Sequence, residues 1–360
     1  MKLFGTEEIN TARQPEFDVA KATSVIGMVF SHCFEFSSFD MAANPLTYTL
    51  KHVLGGFWAA PLFMFYMGAG MRYSRRNTPK ALYIRGLIIM LIGFALNLFK
   101  YVIPYIVLYK YKGLEMDLLH IFSYMHSLDV LQFAGLAIIA IGLLKQLKAS
   151  DKVIIGMSLA LSLVGTYFSD FTVENAALGR FLGLFLGVAD VAAFPFFNWF
   201  IFVAAGYVFG GYWRRCRDKG RFYKIVSPAC AVIAAVALYY EIKNQIGVPN
   251  ASRTYYFFIS TPDVLIAFVV IGAMAGLCYA HCCLFPNAGI TKVLYNYSRN
   301  INKIYCIHII LARAVVYVLM RHIMCVEFTI PMLLIVGLAI NIASYLIAQA
   351  MEKRGIRQSY

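Results

Sequence analysis

The chain has 360 residues, of which 61% are hydrophobic and 14% are charged, and its mean hydropathy is +0.68. A soluble domain carries about 25% charge and about 45–50% apolar residues, so there is too little polar surface to coat the two soluble domains such a length would suggest. Disorder, collagen and coiled coil fall with the same numbers, which leaves an all-α, polytopic integral membrane helix bundle forming a single domain over 1–360. The net charge of +14 is not a nucleic-acid signature, because Lys and Arg sit in short clusters between apolar runs, as loops on one side of a membrane do. No nucleic-acid partner is expected, and the surroundings are lipid bilayer. The eight cysteines and seven histidines form no spaced ligand motif, so no metal is expected.

A helix needs about 20 apolar residues to cross about 30 Å of hydrocarbon. Ten runs qualify, at about 20–38, 53–71, 86–108, 124–144, 153–169, 194–212, 225–242, 256–279, 295–320 and 328–350. The segment before residue 19 holds acids and no apolar core, so it does not read as a signal peptide and the first run anchors the chain. Leu178 to Val188 is apolar but short, and reads as a re-entrant or interfacial piece, or as part of a longer span beside 153–169. With the N-terminus inside, 23 of the 32 basic residues fall in inside segments and seven outside, while Lys100 and Arg313 lie within spans. That bias predicts ten transmembrane helices with both termini cytoplasmic and a multi-pass protein of the cell membrane.

Ionisable groups inside a bilayer are expensive and are functional candidates by default. The first span holds Asp18, Lys21, His32 and Glu35. Lys21 and His32 are 11 residues apart, which leaves them about 20° from alignment on one helix face and about 16 Å apart along the axis. With Lys21 at the cytoplasmic headgroups, His32 reaches the middle of the membrane, and Glu35 lies one turn further, within i,i+3 reach. A basic residue at the surface and an imidazole at the midplane suit a path that admits a cytosolic anion and does proton chemistry at its end. The plainer alternative is a histidine that bonds a neighbouring helix.

The second run closes on Gly68, Gly70, Arg72, Arg75 and Arg76. The glycines predict close helix contact. Arg72 and Arg75 are i,i+3, with Arg76 beside them, and guanidinium forks pair bidentately with phosphate; the bland reading is a topological anchor. His126 and Asp129 at the outer end of the fourth run, with Trp199 at the outer end of the sixth, are candidate sugar contacts, against an interface role for the tryptophan.

The stretch Arg13…Asp18-Val-Ala-Lys21…His32 resembles the opening of the transmembrane acyltransferase superfamily. This superfamily includes the acyltransferase-3 O-acetylases of bacterial glycans and the heparan-alpha-glucosaminide N-acetyltransferase-like proteins. Lys21, ten residues, then His32 matches the acyltransferase-3 pattern of a basic residue and a histidine, with Lys21 and Ala22 where Arg and Gly are usual. Arg72-Tyr-Ser-Arg75 matches its R-x-x-R. The run from Leu294 through Ser298 to His308 is similar to its late helix, with the Gly of that turn replaced. Asp129-Val-Leu-Gln132 and Phe194-Pro-Phe-Phe-Asn-Trp199 are similar to segments of the heparan-acetyltransferase branch, with Asn198 in place of a second Pro. That branch carries a reactive histidine after its first helix, for which His52 is the nearest equivalent at a different spacing.

The resemblance implies acyl transfer from acyl-CoA, most simply acetyl-CoA, as co-substrate. Lys21, Arg72, Arg75 and Arg76 would take the CoA phosphates, and the pantetheine arm, about 16–20 Å extended, would thread towards His32. His32 would act as general base on a carbohydrate or glycan acceptor with Glu35 orienting it, or would carry the acyl group itself. Two other classes stay open. Pro104, Lys100 and Arg313 within spans fit the path of a secondary transporter or exporter, although no inverted repeat is evident; a non-catalytic membrane partner is the other. Homo-oligomerisation is left open.

Overall fold

The computed structural model describes residues 3–39, 56, 58–188, 193–244 and 257–355. His52 and residues 53–55 of the second run lie outside the described residues. The helices are α1 (Pro15–Ser37), α2 (Ala59–Tyr73), α3 (Pro79–Lys112), α4 (Leu118–Ser123), α5 (Val130–Gln146), α6 (Asp151–Tyr167) and α7 (Ala176–Gly183). They continue with α8 (Phe196–Trp213), α9 (Lys219–Asn244), α10 (Thr261–Leu284), α11 (Gly289–Arg299), α12 (Ile301–Ile323) and α13 (Ile330–Lys353). Each of the ten apolar runs is met by a helix, and the only strands among the described residues are the short parallel pair β1 (Ser169–Phe171) and β2 (Gly187–Val188).

Five helices, α3, α9, α10, α12 and α13, contain a stretch long and apolar enough to cross a membrane. Val232, Ile233, Val236, Tyr239 and Tyr240 of α9, and Ile335, Leu338, Ile342 and Leu346 of α13, point outward and exposed. A water-soluble protein does not display continuous apolar faces of that size; lipid is the solvent they fit, and the protein is a membrane protein. The 178–188 segment is the short helix α7 followed by β2, not a span.

Two expectations are corrected in detail. The run 295–320 is not one helix: it breaks at Asn300, whose side chain donates to Glu352 at 2.7 Å, so that α11 and α12 are separate. Of the two glycines at the end of α2, only Gly68 mediates close packing. A Cβ there would collide with the Val203 carbonyl of α8, as one on Gly206 would with that of Phe65, so these two helices meet backbone to backbone. Gly70 faces open space.

α1 is the hub. It packs against α2, α10, α11, α12 and α13, and Ala20, Ala22, Val25, Val29 and Cys33 are completely enclosed. Its first turn is pinned by polar contacts: buried Glu16 accepts from the Trp213 indole at 3.1 Å and pairs with Lys219 at 3.2 Å. α3 and α12 each contain a π-helical stretch, Leu98–Val102 and Arg313–Ile323, which face each other beyond His32. Such distortions of the i→i−4 ladder occur frequently at functional sites.

Candidate functional site

The N-terminal end of α1 opens into a cleft of about 300 Å³ between α1, α2 and α11, lined by Arg13, Lys21, Gly70, Ser74, Ser298 and Arg299. Its organiser is Asp18. Buried at 4% exposure, it receives Arg13 at 2.5 Å, Lys21 at 3.2 Å and the Ser298 hydroxyl at 2.7 Å. One carboxylate thus holds two cations and ties α1 to α11. Arg299 also lines the cleft and lies 3.9 Å from Glu352, so three cations meet two carboxylates there, and the Arg13 side chain is 54% exposed. Gly70 supplies the room: a side chain there would project into the opening.

About 16 Å up α1 by helix rise, the His32 Nδ1 lies 3.0 Å from the Nε2 of His308 on α12, with the rings stacked at 5.2 Å and 15°. The proton positions follow from the partners. His308 Nδ1 lies 3.2 Å from the Ile304 carbonyl oxygen, which only accepts, so Nδ1 carries the hydrogen and Nε2 the lone pair. His32 Nδ1 then donates to that nitrogen, and the basic position of His32 is its Nε2. His308 is completely enclosed, so it holds this orientation through packing as well as bonding. Phe36 stacks on the other side of His32 at 5.7 Å and 10°. The arrangement fixes one tautomer of an imidazole partway along a membrane helix.

Beyond this pair, Lys100 of the α3 π stretch is buried and ion-paired with Asp129, which is partly buried. Asp129 also caps α5 in a capping box with Gln132. His32 and Glu35 are within electrostatic reach of this pair. Arg313, at the start of the α12 π stretch, is 5% exposed and enclosed by aromatic rings.

The structure brings some sequence-selected residues together and separates others. Lys21 and His32 do lie along one helix, at the cleft and at the imidazole pair. Glu35 is exposed on α1, one turn past His32. Arg72 is engaged by the protein itself, bonded to Asp151 of α6 at 2.7 Å and stacked 4.2 Å from the Tyr207 ring. α2 ends at Tyr73 with Ser74 extended, so Arg75 and Arg76 lie past the helix, exposed, and the i,i+3 argument does not place Arg72 and Arg75 on one face. His126 is exposed in the turn Tyr124–His126. Trp199 is completely buried, donates its indole N–H to the Phe257 carbonyl and meets Phe194 edge-on at 4.7 Å, which makes it a packed core side chain. The sequence does not reveal the roles of His308, Asp18, Ser298 and Arg299. His308 and Ser298 stood in the late motif, and Asp18 in the opening one, but only the fold shows what they touch.

The helical bundle places a cationic cleft at one end of α1 and a histidine pair further along it, an arrangement chemically able to hold an anion at one end and a proton acceptor at the other. The chain belongs to the acyltransferase-3 domain family, whose model matches residues 14–349. It is therefore a membrane acyltransferase. No curated protein matches the chain.

Proposed function

We propose that the protein moves an acyl group, acetyl in the simplest case, from cytosolic acyl-CoA to a hydroxyl or amine of an extracytoplasmic or membrane-linked glycan, as a multi-pass protein of the cell membrane with both termini cytoplasmic. The observation that carries this reading is that α1 bears both the cationic cleft and His32, separated by about 16 Å, the reach of an extended pantetheine arm. Arg13, Lys21 and Arg299 would take the CoA phosphates, with Arg75 and Arg76 at the rim. Arg72 would be a positioning residue that braces the cleft wall through Asp151.

In the transfer step, His32 Nε2 takes the proton of the acceptor hydroxyl as its oxygen bonds to the thioester carbon. The C–S bond breaks, and the imidazolium returns the proton to the departing thiolate, giving an ester and free CoA. His308 holds the imidazole in the tautomer that leaves Nε2 basic, the role a third group plays in hydrolase triads. Family membership favours this chemistry over the transport reading.

The test is incubation of the purified protein with labelled acetyl-CoA and a panel of glycans, read by mass spectrometry, for wild type and H32A. Label on a glycan in wild type alone is the expected result; equal transfer by both removes His32 from the mechanism, and no transfer to any acceptor removes the glycan reading. Sidedness is checked independently by cysteine labelling in intact cells, with positions near Lys148 and Arg217 protected and those near Asn250 reactive.

A further inference from the structure

We propose that Arg313 is the seat for an oxyanion carried by the acceptor, so that the preferred acceptor is an acidic rather than a neutral glycan; this rests on the acyl-transfer reading above. Two buried cations lie beyond the histidine pair, and the protein treats them differently. Lys100 has Asp129. Arg313 has no carboxylate or hydrogen-bond acceptor among the described residues, and its Nε is buried with no partner. Its guanidinium carbon sits 3.7 Å from the Tyr317 ring centre, 5.0 Å from that of Phe36, 5.2 Å from Tyr105 and 5.4 Å from Tyr101.

Aromatic faces attract a buried cation through the ring quadrupole. They are weak acceptors beside the oxygens that a guanidinium's N–H donors usually find, and a buried unpaired donor on a charged group, as at Arg313 Nε, is costly. The cage therefore surrounds the guanidinium without giving its hydrogen-bonding fork an oxygen acceptor among the described residues. That fork matches the paired oxygens of a carboxylate or a phosphate. A purely structural arginine would be expected to bond carbonyls or an acid, as Arg72 does with Asp151 and the Tyr207 carbonyl.

The position fits an acceptor. Arg313 is five residues beyond His308 on α12, on the side of the imidazoles away from the cleft. Helix rise puts that at about 7 Å, roughly the span of one sugar ring. A ring whose anionic group sat on Arg313 would present a hydroxyl towards His32 from the face opposite the arriving thioester. Phe36 links the two places directly, stacking on His32 and on Arg313.

The experiment is a binding comparison on the full-length protein in lipid nanodiscs, without acyl-CoA, using methyl β-glucoside, methyl β-glucuronide and glucose 6-phosphate as probes, read by calorimetry. The anionic probes are expected to bind at least tenfold more tightly than the neutral glucoside. The uronide against the phosphosugar tells which oxyanion is preferred. R313Q should abolish the preference, and R313K, which keeps the charge and loses the fork, should reduce it at least fivefold. Equal binding of neutral and anionic probes, binding of none of them, or a preference unchanged in R313K overturns the proposal. CoA binding by each variant reports folding; if R313Q is misfolded, R313K decides. Because no transfer is measured, failure of the His32 mechanism and failure of this assignment give different results.

Discussion

The two charged regions on α1 handle their charge in opposite ways. At the cleft, Arg13 and Lys21 pair with Asp18, Arg299 lies 3.9 Å from Glu352, and the Arg13 side chain stays half exposed to solvent. Around His32, the groups are enclosed: Lys100 is closed onto Asp129, His308 onto the Ile304 carbonyl, Arg313 into aromatic rings. Solvated cations in surplus can exchange water for an arriving anion at small cost. Enclosed groups cannot relax, so they hold a fixed geometry and a fixed proton placement, which is what proton transfer requires. On the proposed reading, one end of α1 captures the donor and the other does the chemistry, so substitutions should separate affinity from rate.

The sharpest break in that division is His32→Ala. It should lower transfer about 10²–10⁴-fold while CoA affinity, read by calorimetry, stays within twofold. A variant that loses CoA binding along with rate would merge the two regions into one.

Lys100→Met tests the enclosed end for stability. Removing one partner of a buried pair costs about 3–5 kcal/mol, because Asp129 is left charged without its counter-ion. Adding Asp129→Asn, which keeps a capping side chain at the start of α5, should recover most of that loss in unfolding experiments. Equal stability of the single variant would mean the pair is not closed in the membrane.

His308→Phe keeps the ring and removes the acceptor for His32. It should lower kcat about 10–100-fold with little change in KM for acyl-CoA, by analogy with the cost of losing a partner that orients a histidine. A change in KM alone would assign His308 to packing.

The smallest effects belong to the cleft. Lys21→Gln or Arg299→Gln should weaken CoA binding by about 1 kcal/mol each, since exposed ion pairs are worth little, with kcat unchanged. Gly70→Leu should weaken binding by more than either while leaving the fold intact, because nothing lies within 4 Å of the added Cβ. Arg75→Gln should barely register; a larger effect than at Lys21 would move the phosphate site to the rim.

The sequence alone determined the all-α membrane architecture, the helical character of the apolar runs and the placement of Lys21 and His32 along one helix. These are properties of local periodicity and of composition against a known solvent thickness, which a single chain segment carries in full. It could not say that Arg72 is bonded to Asp151, 79 positions away, or that Trp199 packs into the core. Nor could it show that Gly70 lines an opening where Gly68 lines a contact, since both sit at the same helix end and differ only in what lies opposite. The His32–His308 bond joins residues 276 positions apart, and the aromatic enclosure of Arg313 draws on α1, α3 and α12. Which nitrogen is basic and what surrounds each buried cation are properties of pairs of groups, and pairs this distant in sequence are decided only when packing of the helices brings them together.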